Sequence, residues 1–295
     1  MRKAPVFSVR DFFKRFPDDD SCLAHVMQIR HGGTERECPN CHKPAKFYRL
    51  KKRPAYSCAL CGFHIYPCAG TPFERTRTPL QLWFYAMYLF TTSRHGVPAK
   101  ELQRQLSVTY KTAWRMAHEI RKHMANVDGD ANLSGEVEID ETFVGGMAHR
   151  PSERQVGHVT ENSKKTIVFG MVERGGDLIT RVVPNTKKST LFPIIEEKIE
   201  KGTLLSTDEM SAYKFVGRLG YEHGTVNHSE EEWVNGKFHT NTIEGFWSHF
   251  KCSVKGVHRS ISRKHMQKYL CEFEFRFNLR GALAYQMFDR LILAF

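Results

Sequence analysis

The apolar pattern is densest after Pro79, where "LQLWFYAMYLFTT" predicts a long helix closed at Gly96. "VPAKELQRQLSVTYKTAWRMAHEIRKHM" then reads as two helices meeting at Ser107 and Val108, with Pro98 in the first turn of one and Thr109 capping the other. Ala113, Met116, Ile120 and Met124 recur at helical spacing and mark a core face. The opposite face carries Tyr110, Lys111, Thr112, Arg115, His118 and Arg121. "ANVDGDANLSG" at 125–135 is polar and glycine-containing, as a linker is. Beyond it the period changes. "EVEIDETFVGG", "KTIVFGMVER" and "DLITRVVPN" alternate as strands, the last two joined by a hairpin at Gly175 and Gly176. "LFPIIEEKIEKG" predicts an amphipathic helix ending at Gly202, and "TLLSTDE" a fourth strand. A helical stretch from Ser211, a short strand near "GTVNHS" and a helix over "HTNTIEGFWSHFK" follow. A basic loop, "KGVHRSISRKH", leads to helices over "YLCEFEFRFN" and "ALAYQMFDRLILAF". The pattern predicts an α+β multidomain chain whose later half is a mixed, five-stranded sheet flanked by helices. Its segments are 1–34 (helical), 35–70, 71–128 (helical), 129–255 (strand-rich) and 256–295 (basic and helical).

The 295 residues leave room for two or three domains, and a hydrophobic fraction of 41% is that of a globular protein. No apolar run approaches the ~18 residues of a membrane span, and "MRKAPVFSVRDFFKRF" has no signal-peptide core. A cytoplasmic protein without a membrane partner is expected. The net charge of +12 matters more, because such an excess favours a polyanionic partner, most often nucleic acid. The other reading is a basic surface without a specific partner. In that light the helix pair at 99–124 reads as a helix-turn-helix whose second helix enters a major groove, against the plainer reading of a helical hairpin.

Cys38 and Cys41 in "CPNC" and Cys58 and Cys61 in "CALC" form two C-x-x-C knuckles around the strand–turn–strand pattern "KFYRLKKRPAYSC". Two tight turns of this kind bring four thiolates onto one tetrahedral Zn²⁺, so residues 35–70 read as a zinc ribbon with one structural ion. Two disulfides in a secreted domain would conflict with the missing signal segment. Cys22, Cys68, Cys252 and Cys271 read as free thiols.

Three carboxylates carry the candidate chemistry. Glu136, Glu138 and Asp140 share one face of the first strand, opposite Val137 and Ile139, and Asp140 is read as closing that strand. Asp208 closes "LLSTDE". If those strands are neighbours the two aspartates converge, and Glu244 from a helix packed across the sheet completes a cage of hard oxygen donors suited to Mg²⁺ or Mn²⁺. "GEVEIDETFVGG", "STDEMSAYK", "VNHS" and "NTIEGFWSHFK" together resemble the DDE transposases of bacterial insertion sequences, and among them the zinc-ribbon group with an ISXO-like transposase domain. The resemblance spans most of the chain.

It implies a ribonuclease-H-like catalytic core with two divalent ions held by Asp140, Asp208 and Glu244. The partner it implies is double-stranded DNA, at terminal inverted repeats and at a target, bound by a homodimer or higher multimer in the bacterial cytoplasm, with the nucleoid. In such enzymes a basic residue two turns after the glutamate holds DNA near the reacting end, a place that Lys251 fills. Tyr110, Lys111, Thr112 and Arg115, with Lys255 and Arg259 from the basic loop, are the other candidate DNA contacts. The activity implied is metal-dependent strand cleavage and strand transfer. The alternatives are a DNA-binding regulator with an inactive core, or a nuclease of the same fold that does not join strands. Glu138, Glu141 and Glu209 adjoin the proposed ligands and read either as substitutes in the cage or, the favoured reading, as edge or supporting residues, with Glu209 on the opposite face of its strand. His228 reads as a site or surface histidine, Asn241 as a contact to metal-bound water or DNA or as a helix cap, and Trp247 and Phe250 as core.

Overall fold

A computed structural model describes residues 7–127, 132–145, 165–214, 216–226 and 234–295. The chain divides into two units: Met1–Ser93 with Val97–Val127 and Gly281–Phe295, and Arg94–Gly96 with Asp128–Arg280.

The first unit opens with α1 (Val9–Arg15) and α2 (Asp19–His31), each started by a capping box, Ser8 with Asp11 and Asp18 with Ser21. An antiparallel meander follows: β1 (Glu35–Glu37), β2 (Pro44–Arg49), β3 (Tyr56–Cys58) and β4 (His64–Ile65). The apolar helix is α3 (Leu80–Thr92), with Trp83, Phe84, Met87 and Phe90 fully buried. It stops at Thr92 rather than Gly96, because Ser93 turns extended. The next helices are α4 (Ala99–Leu106) and α5 (Tyr110–Met124). Ser107 makes the left-handed turn between them, and Thr109 Oγ1 accepts the Thr112 amide at 3.2 Å. Ala113, Met116, Ile120 and Met124 are buried, as their spacing predicts. His118 and Arg121 are also buried, which corrects their place on the polar face. Arg121 donates to Val97 O at 2.9 Å and lies over the Phe90 ring, and His118 packs against Trp114.

The second unit is a sheet in the order β7-β6-β5-β8-β9, built from β5 (Glu136–Val144), β6 (Thr166–Glu173), β7 (Leu178–Val183), β8 (Leu204–Thr207) and β9 (Glu222–Thr225). β5, β6 and β7 run antiparallel in sequence, while β8 and β9 are parallel to β5. This is the ribonuclease-H-like arrangement. One face, with Val137, Ile139, Phe169 and Met171, packs on α6 (Lys188–Lys198) through Leu191 and Ile195. The other face, with Val168 and Val172, packs on α7 (Asn241–Ser253) and α8 (Arg263–Asn278) through Ile243, Trp247, Phe250, Leu270 and Phe273. Trp247 and Phe250 are therefore core.

Several elements differ from their predicted extents. α6 ends at Lys198, because Ile199 extends to bridge Leu133, and Gly202 (φ +83°) turns the chain into β8. The stretch from Ser211 forms two 3₁₀ turns, Ser211–Tyr213 and Val216–Leu219. β9 ends at Thr225, ahead of "VNHS". The basic loop contains a π-helical turn, Val254–His258, and the first residues of α8. His228 and residues 128–131 of the linker lie outside the described residues.

Edge strand β7 is covered by side chains of α8. The amides of Leu178, Thr180 and Val182 donate to Asn278 Oδ1, Glu274 Oε2 and Gln267 Oε1 at 2.8–2.9 Å. Asn278 and Gln267 also donate to the carbonyls of Leu178 and Thr180 at 3.0 Å. A row of groups that would template another strand is thereby occupied.

Candidate active site and metal centre

The parallel register of β5 and β8 pairs Glu136 with Leu204, Val137 with Leu205 and Glu138 with Ser206, and there it stops. Continued two residues along both strands, it sets Asp140 opposite Asp208. Asp140 lies in mid-strand, not at the end of β5, since the β5–β6 ladder runs on to Val144. What ends at this level is its parallel neighbour, so the strands part here and open a crevice. Asp208 Oδ1 accepts the Met210 amide at 3.0 Å, which turns the chain away from the sheet. β8 ends at Thr207, so Asp208 is the first residue past the strand rather than the one that closes it, and Glu209, exposed and further along, has no strand face to alternate on.

Burial pushes the Asp140 carboxyl up to about 7, with further upward pushes from the charges of Asp208 and Glu244. The three predicted carboxylates, from three different elements, therefore share one electrostatic neighbourhood. Glu141 belongs to it as well. Burial drives it to about 8 against the Tyr213 hydroxyl, which donates to Glu141 Oε2, while Asp208 and Asp140 raise it further. This fourth carboxylate was read as a supporting residue, and adjacency to Asp140 was its only signal in the sequence. Among the described residues, Cys38, Cys41, Cys58 and Cys61 are the one group of three or more potential ligands whose ligand atoms all lie within 4.8 Å of one another. The carboxylates are near enough to repel without closing to that distance.

α7 is held over this crevice by a buried anchor. Glu138 is fully buried, and its Oε2 accepts the amides of Thr242 and Ile243 at 2.8 and 3.1 Å while its Oε1 accepts Thr242 Oγ1 at 2.9 Å. A carboxylate of β5 thus satisfies the first turn of α7, where free N–H groups and the helix dipole favour negative charge. Arg174 Nε donates to Glu138 Oε1 at 2.8 Å, and the same guanidinium donates to Lys237 O, His239 O and Ser206 Oγ. The helix starts at Asn241 with Thr240 in the cap position, so Asn241 is not the cap. Thr240 Oγ1 donates to Glu244 Oε1 at 2.7 Å, which orients that carboxylate. Gly170, the register partner of Asp140 on β6, permits the close approach: a Cβ there would sit 2.5 Å from Trp247 Cζ2. Lys251 is exposed two turns after Glu244, on the same side of α7. Lys255, in the π-helical turn, and Arg259 (φ +66°) are exposed too.

In the first unit the two cysteine knuckles repeat one geometry. His42 N donates to Cys38 O and Gly62 N to Cys58 O, at 2.9 and 3.0 Å, with His42 and Gly62 both left-handed. Cys38 Sγ and Cys61 Sγ are 3.6 Å apart, close to the edge of a tetrahedron with metal–sulfur bonds of about 2.3 Å. The Phe63 amide and Asn40 pull the Cys61 thiol down to about 6, toward the thiolate a metal needs. Along the helix pair, Tyr110 is exposed with Lys100 Nζ 4.9 Å from its ring centre. Lys111 and Arg115 are exposed and Thr112 half-buried, and the Arg115 guanidinium lies over the Trp83 ring.

Residues 132–278 match the ISXO2-like transposase domain and residues 17–64 the transposase zinc-ribbon domain. A protein in transposable element ISH50 of Halobacterium salinarum is 27% identical over 81% of this chain and 84% of its own length. A transposase-like protein of Haemophilus influenzae is 35% identical over 34% of this chain and 79% of its own. Among solved structures, a pre-cleavage Mos1 transpososome aligns over 70% of this chain and 76% of that one at 11% identity, with a TM-score of 0.31. The two domain matches together span most of the chain, and both are to transposase domains. The chain belongs to the family with an ISXO2-like transposase domain and a transposase zinc ribbon.

Proposed function

We propose that this transposase cleaves DNA at the ends of an insertion sequence and joins those ends to a target, using two divalent ions, Mg²⁺ or Mn²⁺, held by Asp140, Asp208 and Glu244. The observation that carries this reading is the electrostatic convergence of those three carboxylates at the place where β5 and β8 part. The donor set is all oxygen, which suits hard ions, and its mutual repulsion is what a cation relieves. When bound, the ions stabilise the attacking and leaving oxygens of an in-line phosphoryl displacement. Asp140 and Asp208 are placed by sheet register, Glu244 is oriented by Thr240, and Lys251 holds a phosphate beside the scissile bond. Water and then the freed 3′-hydroxyl are the nucleophiles. One Zn²⁺ on Cys38, Cys41, Cys58 and Cys61 keeps the ribbon folded. α4 and α5 serve as a helix-turn-helix that reads the terminal inverted repeat through Tyr110, Lys111, Thr112 and Arg115. Lys255 and Arg259 hold the DNA backbone, and a homodimer or higher multimer brings two ends together in the bacterial cytoplasm.

The test incubates purified protein with a plasmid carrying candidate element ends, Mg²⁺ and a target plasmid, and sequences the joints. Asp208→Asn is expected to bind ends yet cut none, and Lys251→Ala to cut slowly with a small loss of affinity. Cutting by Asp208→Asn at the wild-type rate removes Asp208 from the site. Cutting by the wild type without joints points to a nuclease that does not transfer strands.

A further inference from the structure

We infer that a cationic trough in the first unit, running from the tip of the β2–β3 hairpin past Arg75 to α5, holds the phosphate backbone of a DNA duplex. The inference rests on the DNA-binding reading above and shares Arg115 with it, but its other contacts, on the β2–β3 hairpin and at Arg75, lie apart from the residues proposed there to read the terminal repeat. One hollow of about 750 Å³ is lined by Lys51, Lys52, Arg53 and Arg75 among others, and a second of about 540 Å³ by Arg75, Arg115 and Lys122. They share Glu74 and Arg75, so the two hollows adjoin there, with Asp19 and Glu119 as the other acidic groups along them. Either hollow is far larger than a single phosphate group, and the cations along them are spread over a hairpin, a loop and a helix. That distribution suits a repeating polyanion.

The hairpin tip is built to present charge. Arg49 donates to the carbonyls of Leu50, Arg53 and Ala55, and its Nε and Nη2 hold Asp20 Oδ1 at 3.0 and 2.7 Å. One arginine is thus spent inside the turn, and the turn wrapped around it carries Lys51, Lys52 and Arg53, all exposed. Arg75, at the junction of the two hollows, has a left-handed backbone (φ +54°) that non-glycine residues seldom adopt, and its side chain is 92% exposed. Its contact with Glu74, at 3.6 Å, is an exposed pair that salt screens. Packing therefore gives no reason for an arginine at this position, whereas a passing phosphate does. Single strands are gripped by rows of stacking rings. Tyr66 is the exposed ring lining this trough, and Phe73 beside it is buried. The chemistry favours a duplex.

The probe is a fluorescent duplex of about 30 base pairs and arbitrary sequence, since phosphate contacts do not depend on sequence. Binding to the full chain is measured between about 50 and 250 mM KCl, and each phosphate contact adds about 0.9 to the slope of log affinity against log salt. Lys51→Ala/Lys52→Ala is expected to lower that slope by about 2. Arg10→Ala/Lys14→Ala, which removes equal charge from exposed positions on α1, is expected to leave it nearly unchanged. Arg75→Gly keeps the left-handed backbone without strain, so it is expected to lower the slope by about 1 while the melting temperature holds or rises. Equal slopes for the hairpin and α1 variants overturn the trough, as does an unchanged slope for Arg75→Gly. If Arg115→Ala weakens binding while the hairpin variant matches wild type, the trough is wrong and the helix-pair reading stands. If wild-type protein binds no duplex in a salt-dependent way, both fail. A single strand of the same length bound more tightly than the duplex, and lost in the same variants, overturns the assignment to duplex DNA.

Discussion

Removing the charge of Asp140 should stabilise the metal-free protein, by an amount that depends on pH. The folded carboxyl titrates at about 7 against an ordinary 3.8, so between those values the folded state binds more protons than the unfolded one. Stability from this group is therefore present below pH 3.8 and falls as pH rises toward 7. At about 1.4 kcal/mol per pH unit, the full displacement amounts to about 4 kcal/mol. Asn at position 140 avoids the buried charge and the repulsion from Asp208 and Glu244, but it still buries a polar group. A net gain of about 1–3 kcal/mol at pH 8 is expected, which for a unit of this size is a rise in Tm of about 2–12 °C.

The assay is thermal melting by circular dichroism in EDTA, at pH 5 and pH 8, of wild type and Asp140→Asn. The difference between the two proteins is the readout, because Glu274 and His223 are shifted in both, while Glu141, raised in part by the charge of Asp140, is relieved in the variant and adds to the gain at pH 8. At pH 5 the unfolded carboxyl is ionised and the folded one is not, which removes about 1.6 kcal/mol, a loss similar to the cost of burying Asn, so the two melts should lie close together. At pH 8 the variant should melt higher, and Mn²⁺ should raise wild type toward it while leaving the variant almost unmoved. A stabilisation equal at both pH values, or no effect of Mn²⁺ at pH 8, would refute the claim that these carboxylates crowd a cation site.

Gly170→Ala places a methyl 2.5 Å from Trp247 Cζ2 and should cost about 1–3 kcal/mol in chemical denaturation and slow cleavage, with Trp247→Phe in the same chain restoring part of both. Glu138→Ala leaves Arg174 and the first turn of α7 without their buried partner, and a loss of about 3–5 kcal/mol is expected; unchanged stability would mean α7 is anchored elsewhere. Cys58→Ser should lose the approximately one Zn²⁺ per chain found by elemental analysis of wild type and unfold the ribbon, while urea melting of the sheet-containing unit stays as it was.

The strands of the mixed sheet and the four-cysteine ribbon were legible in the sequence because each rests on a short-range signal, strands of period two with a Gly-Gly hairpin and paired C-x-x-C turns, whereas the order β7-β6-β5-β8-β9 was not. The parts that were not legible depend on partners distant in sequence. Glu138 reads as one more acidic residue on a strand until the amides of Thr242 and Ile243 arrive to be capped, and nothing near Arg174 announces that it ties β6 to the chain leading into α7. Arg121 follows the polar spacing of its neighbours, yet a carbonyl and a ring from other segments of its unit draw it inside. Helical period alone could not reveal that. The same logic explains the boundaries of α6 and β9, which are set by the Ile199–Leu133 bridge and by pairing to β8 rather than by local propensity. It also gives the acidic crevice its physical cause. A short β8 beside a long β5 ends the parallel ladder while the β5–β6 ladder continues, so Asp140, still paired with Gly170, and Asp208, just past β8, lie at the level where β5 has lost that neighbour. Inserting or deleting one residue within β8 would move the point at which Asp208 leaves the sheet relative to Asp140, and the pairing of the two would change although both carboxylates remained in the sequence.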